Sequence, residues 1–302
     1  FCVGQKFNEN IYRAISGTID NVVPFFKAFE EGVRNRKIIK CAQIIFRDKT
    51  NPIFSKSYYF NRARTWPQGY QGDYITMENC YRNIPLSLGI GYYLDLYLLN
   101  SPLGKAVRNR IRMLEELIRQ NMKDRKKPSL LNIACGSCRE LMGLAVDIFE
   151  TKASVTCIDN DEDALRFSMR RLSTLGLDDY VKFFKYNAVR MFDVDSSMSE
   201  FRGQDIIYSV GFFDYLPSDF LVRMFRSLYN ILNSGGLIIV AFKDAERYDH
   251  RPYHWIVDWD GFLQRTPRDF KRIFESAGIP SSMISETREE TGIIVFYLIH
   301  KR

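Results

Sequence analysis

The sequence predicts an α/β protein in two parts: a doubly wound, mostly parallel sheet over residues 129–302, preceded by a mainly α-helical domain over residues 1–128. Three observations carry this. After the basic segment 123–128, short apolar runs alternate with segments of helical period, the pattern of strand–helix–strand units. The first of these runs, Leu130 to Ile133, leads into Ala134-Cys135-Gly136-Ser137-Cys138, a turn of small residues placed between a strand and a helix. Before residue 123 the apolar residues recur at helical spacing instead.

In the first part, Ile15, Ile19, Val22, Val23, Phe26 and Phe29 share a helical face, and Pro24 is expected to kink or interrupt that helix. Ile38 to Phe46 continues in helical fashion, and Val107, Ile111, Leu114 and Ile118 line one side of a helix from Ala106 to Met122. In the second part the expected strands are Leu130 to Ala134, Val155 to Asp159, Val181 to Tyr186, Asp205 to Ser209, Leu237 to Phe242 and Ile293 to His300. The expected helices are Glu140 to Phe149, Ala164 to Leu175, Phe220 to Leu232 and Pro267 to Ala277.

Composition bounds the function. The 302 residues are 46% hydrophobic and 14% aromatic, enough for one large core or two smaller ones, with no run of 18 apolar residues for a membrane span. Nothing resembles a signal peptide, although the chain begins with Phe1. Six scattered cysteines (Cys2, Cys41, Cys80, Cys135, Cys138 and Cys157) argue for reduced thiols, so a soluble, cytoplasmic protein is expected. Cys135-x-x-Cys138 has the spacing of a redox or metal pair, but no second ligand pair follows it and the chain has three histidines, so no bound metal is expected. Residues 1–128 carry 22 Lys and Arg against 11 Asp and Glu, whereas 129–302 carry 21 against 25. The clusters around Arg34-Asn35-Arg36-Lys37 and Arg108-Asn109-Arg110 lack interleaved aromatics, which disfavours nucleic acid and leaves an anionic membrane or an acidic substrate as partners of the basic part.

The turn after Ile133 is the centre of the functional reading. Ala134, Gly136 and Ser137 leave the backbone open to close approach, and the next strand delivers Asp159 23 residues after Gly136, suited to a ribose diol. Two of the three glycines of a dinucleotide fingerprint are missing, and no Gly-Lys-Ser/Thr follows, which excludes a P-loop. A one-glycine turn with Glu140 at the helix start suits a ligand bearing an amino group and a sulfonium, and points to S-adenosylmethionine.

On these residues the stretch 129–302 resembles a class I S-adenosylmethionine-dependent methyltransferase. Asn132 to Glu140 matches its first motif, Asp159-Asn160 its acidic strand end, Tyr186-Asn187-Ala188 its adenine contact, and Asn233-Ser234-Gly235-Gly236 the glycine pair before its fifth strand. The resemblance implies a seven-stranded, Rossmann-like sheet and S-adenosylmethionine as cofactor, with S-adenosylhomocysteine as product. It also implies cofactor contacts at Ala134, Cys135, Gly136, Glu140, Asp159, Asn160, Asn187 and Ala188, and at Ser209 and Gly211 beyond the fourth strand. A narrower likeness covers residues 62–278. Gly69-Tyr70-Gln71-Gly72-Asp73-Tyr74, Tyr208 to Leu216 and Trp255-Ile256-Val257-Asp258-Trp259 together resemble bacterial methyltransferases of 3-hydroxypalmitic acid methyl ester (extracellular factor) biosynthesis.

These motifs set the remaining expectations. The glycines of the segment 69–74 suggest a lid, with Tyr70 and Asp73 against the cofactor and Tyr74 near the reacting atoms, because an open sheet must exclude water from a sulfonium. Methyl transfer asks mainly for alignment of a nucleophile at about 3 to 3.5 Å, a proximity effect of about 7 to 11 kcal/mol. A carboxylate acceptor needs no base; for other acceptors His250 and His254 are candidates. The catalytic candidates are thus Tyr74, His254 and Tyr215, and Arg82, Phe213, Asp214, Arg251 and Trp255 are candidates for the substrate. The expected activity is methyl transfer to a small acceptor of acidic or lipid-like character. An RNA or protein methyltransferase is the alternative enzyme, and a non-catalytic S-adenosylmethionine-binding regulator or scaffold the alternative class. Ser209-Val210-Gly211-Phe212-Phe213 lacks the Asn/Asp-Pro-Pro-Tyr/Phe pattern tied to nucleobase amino groups.

Overall fold

The computed structural model describes residues 6–302, so Phe1 and Cys2 lie outside the described residues. The chain divides into two compact units: residues 1–105 with 248–261, and residues 106–247 with 262–302. The division falls inside a helix, earlier than the boundary at 128/129 expected from the basic segment, and returns a short stretch near the C-terminus to the first unit.

The first unit is helical: α1 (Glu9–Val33), α2 (Arg36–Phe54), α3 (Tyr58–Thr65), α4 (Tyr74–Arg82) and α5 (Ile90–Asn100). The side chains of Asn8 and Asn35 accept from the free backbone N–H groups that open α1 and α2, and Arg34, at φ 50°, ends α1. Of the two outcomes expected at Pro24, interruption does not occur: α1 runs on through it. It lies on the exposed side of the helix, where the carbonyl it deprives of a partner can turn to water. Phe26 is buried at the centre of this unit, stacked on Trp255 at 4.6 Å and meeting Phe46 edge-on at 5.0 Å. Trp255 belongs to a single π-helical turn, Tyr253–Val257, within 248–261.

The second unit takes up most of α6 (Pro102–Met122) and a seven-stranded sheet. Its strands are β1 (Ser129–Ile133), β2 (Ser154–Asp159), β3 (Val181–Lys185), β4 (Gln204–Val210), β5 (Leu232–Lys243), β6 (Ile284–Arg288) and β7 (Ile294–His300). They lie in the order β3-β2-β1-β4-β5-β7-β6, parallel from β1 to β5, with β7 antiparallel to both neighbours. This is the mostly parallel seven-stranded sheet that the resemblance implies. Leu130, Leu131, Ile133, Ile206, Ile207, Ile238, Ile239 and Val240 are fully buried, as befits strands covered on both faces.

Six strands were legible as apolar runs. The seventh, β6, reads Ile-Ser-Glu-Thr-Arg and is half-exposed at the sheet edge, where β7 alone supplies its hydrogen bonds. The helix expected over Glu140 to Phe149 is two, α7 (Arg139–Gly143) and α8 (Ala145–Thr151), because Leu144 leaves helical geometry at φ −101°, ψ 4°. The remaining helices are α9 (Glu162–Ser173), α10 (Val194–Phe201), α11 (Ser218–Ile231) and α12 (Pro267–Ser276). Since β2 and β3 lie to one side of β1 and β4 to the other, the strand order reverses between β1 and β4, the place where open α/β sheets bind ligands.

Candidate functional site

The turn from β1 to α7 carries three residues with left-handed backbone: Ala134 (φ 53°), Gly136 (φ 52°) and Cys138 (φ 46°). Only glycine adopts this conformation without strain, so the turn is held by its surroundings. The Cys135 N–H donates to the Ile158 carbonyl (3.1 Å), and the Gly136 N–H donates to the Asp159 carboxylate (2.8 Å). The other Asp159 oxygen accepts the Asp161 N–H (2.9 Å). From above, the Ser168 hydroxyl donates to the Gly136 carbonyl (2.8 Å), and Arg171 donates to the Ser137 carbonyl. Asp159 thus ends β2 half-buried, bracing the turn with two hydrogen bonds and keeping acceptor capacity for a ligand. Burial raises its carboxyl above the ordinary value, against the two N–H donors that favour the charged form.

Glu140 has a different place from the one expected. Its carboxyl is turned onto the sheet, where one oxygen accepts from Asn132 Nδ2 (2.8 Å) and the Tyr208 hydroxyl (3.0 Å). Burial, with the neighbouring Cys138, pushes it up to about 8, so near neutral pH it is largely protonated. A neutral carboxyl under the turn positions β1, β4 and α7; it is not an anion facing a ligand's ammonium.

At the other strand ends, the Ser209 hydroxyl donates to the Ile133 carbonyl (2.9 Å), tying β4 to β1 beside the turn. Gly211 follows at φ 103°, and the Arg110 guanidinium lies so close to it that a Cβ there would stand 3.2 Å from a guanidinium nitrogen. Lys243, at the end of β5, pairs with Asp214 (2.5 Å), both buried. Burial lowers the Lys243 ammonium, and Arg110 lowers it further against the pull of Asp214. Arg265 donates to the Leu216 carbonyl from the same region. Arg110, Lys243 and Arg265 are thus all buried around the carboxyl ends of β4 and β5, with Lys243 paired to Asp214.

Arg110, Lys243 and Arg265 are absent from the sequence-based candidates. Arg110 was hidden in a run of basic residues that reads as a solvated helix face, and Arg265 lies in a loop. Lys243 offered a signal: a lysine closing the apolar run Leu237 to Phe242. Of the expected residues in this unit, Phe213 is a packing residue at 1% exposure, and Tyr215 stands edge-on to Phe262 at 6.4 Å. Asn160 is exposed beyond β2. Asn187 caps a 3-10 turn by accepting the Val189 N–H (3.1 Å), and Ala188 is buried behind it.

The other expected residues belong to the first unit. Asp73 is the N-cap of α4, accepting from the Ile75 and Thr76 N–H groups, and takes a two-pronged contact from Arg62 (2.8 and 3.1 Å). Tyr74 is buried as the first residue of that helix, Tyr70 is exposed in the turn before it, and Arg82 pairs with Glu78 at its end. Arg251 pairs with Glu30, and the Trp255 indole N–H donates to the same Glu30 (2.7 Å). Burial, then the neighbouring His250, depresses His254 to about 4, leaving a neutral but weakly basic imidazole.

No family model matches the chain, and no curated protein matches it. Among solved structures, the chain is similar to a "possible exported protein" from Bordetella parapertussis, with 17% identity and a TM-score of 0.63 over 76% of this chain and 79% of that one. It is also similar to a protein called an O-methyltransferase from Nostoc punctiforme, with 16% identity and a TM-score of 0.50 over 66% and 58%. A third, PigF with SAH, has 12% identity and a TM-score of 0.51 over 83% and 72%. At these identities the likeness is one of fold.

Proposed function

We propose that this chain is an S-adenosylmethionine-dependent methyltransferase whose acceptor is a carboxylate on a small acidic or lipid-like molecule. The observation that carries the proposal is the bond from the Gly136 N–H to Asp159, which sets a strained, small-residue turn and a partly exposed carboxylate side by side at the sheet's switch point. A ribose diol fits the free lone pairs of Asp159, the turn fits an amino-acid moiety, and the Asn187-Ala188 segment beyond β3 offers a place for an adenine. Two of the three solved structures above carry names that agree, an O-methyltransferase and a complex with SAH.

The acceptor class rests on charge. Arg110, buried beside Gly211 at the end of β4, suits a carboxylate, which it could grip with its planar fork. Bound S-adenosylmethionine supplies a methyl group already activated by the sulfonium. A carboxylate oxygen attacking in line needs no proton removed, so nothing is asked of the weakly basic His254. This also suits the narrower likeness to methyltransferases that make a fatty-acid methyl ester.

The experiment supplies S-adenosylmethionine labelled in its methyl group, with a panel of hydroxy and fatty acids. Label should enter the organic-soluble fraction and be released as a volatile product by mild alkali, as from a methyl ester. Alkali-stable label would refute the carboxylate, label in macromolecules the small acceptor, and failure to bind S-adenosylhomocysteine by calorimetry the methyltransferase reading itself.

A further inference from the structure

Beneath the turn lie three thiols to whose sulfurs the proposed reaction gives no role. Cys135 and Cys138 come from the turn and Cys157 from the middle of β2; they are 8%, 1% and 0% exposed, and their sulfurs all lie within 4.8 Å of one another. Cys138 and Cys157 are 3.8 Å apart. We propose that these three sulfurs form a binding site for a thiophilic metal ion, Cu(I) or Zn(II), that pins the turn to β2.

The geometry supports this directly. Thiolates at about 2.3 Å from a common ion stand about 3.8 Å apart in tetrahedral and about 4.0 Å apart in trigonal coordination. One edge of the triangle already has that length, and the others, at no more than 4.8 Å, need to close by at most about an ångström. Among the described residues no fourth histidine, cysteine or carboxylate joins the group. Three sulfurs alone suit trigonal Cu(I); Zn(II) needs a fourth donor such as water. The charge can be met as well: binding expels the three thiol protons, and Arg171, which donates to the Ser137 carbonyl, places a cation beside the turn. Asn132 Nδ2, 4.0 Å from the Cys138 sulfur, is placed to orient it.

The same burial argues against a redox switch. An oxidant must reach a sulfur in the folded protein, whereas an ion can be taken up as the chain folds. Cys135-x-x-Cys138 by itself shows only a pair. The third ligand arrives through the pairing of β1 with β2, which sets Asn132 opposite Cys157.

The test uses the full chain, purified without oxygen in a reductant that does not bind metals. It is titrated with Cd(II), as a spectroscopic stand-in for Zn(II), and separately with Cu(I) delivered from a competing chelator. Expected are one ion per chain, thiolate-to-metal charge-transfer absorption, three sulfur neighbours by X-ray absorption, and a thermal midpoint raised by a few degrees. Competition between the two ions assigns the native one. Cys157→Ala should abolish the absorption, and Cys41→Ala, at an exposed cysteine, should leave it unchanged. No absorption, fewer than three sulfurs, or full stoichiometry in Cys157→Ala would overturn the site. So would a chain isolated two hydrogen masses light, with a disulfide within the trio. The sulfur count needs no variant, so the proposal remains testable if Cys157→Ala does not fold.

Discussion

Replacing Asp159 with alanine separates the bracing duty seen in its hydrogen bonds from the ribose-binding duty proposed for it. The side chain accepts the Gly136 and Asp161 N–H groups at 2.8 and 2.9 Å, and a hydrogen bond to a charged acceptor contributes about 1.5 to 3 kcal/mol. Because Asp159 is half-buried, each bond belongs at the low end, and Asp159→Ala should cost about 2 to 4 kcal/mol of stability in denaturant unfolding. The lone pairs left over are those proposed for the ribose diol. Losing them should weaken S-adenosylhomocysteine by a further 1 to 3 kcal/mol, roughly a 5- to 150-fold rise in Kd by calorimetry. Asp159→Asn keeps one acceptor oxygen but turns an amide N–H toward one of the two donors. It should recover part of the stability and little of the affinity. If either variant loses stability while Kd stays within about twofold of the parent, Asp159 is a brace alone and the cradle argument fails.

Four further outcomes follow from the same geometry. Glu140, raised from 4.5 to about 8 on folding, stays protonated where the unfolded chain would release its proton, so its contribution is complete below pH 4.5 and is lost as pH rises through 8. The stability of Glu140→Gln relative to the parent should therefore climb between pH 5 and 8, by up to about 1.4 kcal/mol per pH unit, and a pH-independent difference would mean that the buried group is ionised throughout. Lys243→Met strands Asp214 at 2% exposure and should cost about 3 to 5 kcal/mol; adding Asp214→Leu should restore most of it, and strictly additive losses in the double-mutant cycle would show that the pair does not interact. Arg110→Ala should raise KM for an acidic acceptor by about tenfold with unchanged affinity for S-adenosylhomocysteine, and Arg110→Lys should recover only part; equal kinetics in all three would remove Arg110 from the acceptor site. Gly136→Val, which forces a branched residue to φ 52°, should abolish cofactor binding, and a variant that folds and binds normally would show that the turn is not the cradle.

The elements that were legible are those whose burial follows from local order. β1, β2, β4, β7 and the second half of β5 are largely apolar between polar segments, as strands covered on both faces must be, while β3, at the sheet edge, keeps two lysines. β6 was not legible because an edge strand faces water and its conformation is set by β7, ten residues further along. Pro24 does not break α1 for a related reason: its cost depends on whether the orphaned carbonyl meets water or core, and α1 exposes that side. The turn at 134–138 and its partner Asp159 could be read because their chemistry is written at fixed spacing along the chain.

What the sequence determined by itself was therefore the fold class, the strand–turn–helix around which the candidate site is proposed, and the acid that ends β2. Each depends on residues within one strand–helix–strand unit, where hydrophobic period and backbone freedom decide the outcome. Tertiary structure decided which way the charged and sulfur-bearing side chains point. It turned Glu140 inward onto Asn132 and Tyr208, and it brought Arg110 from α6 to Gly211 beyond β4. It also set Cys157 beside the two cysteines of the turn. Those juxtapositions join residues that are distant in sequence, and the free energy of a buried charge or thiol is set by the neighbours that pairing and packing place around it.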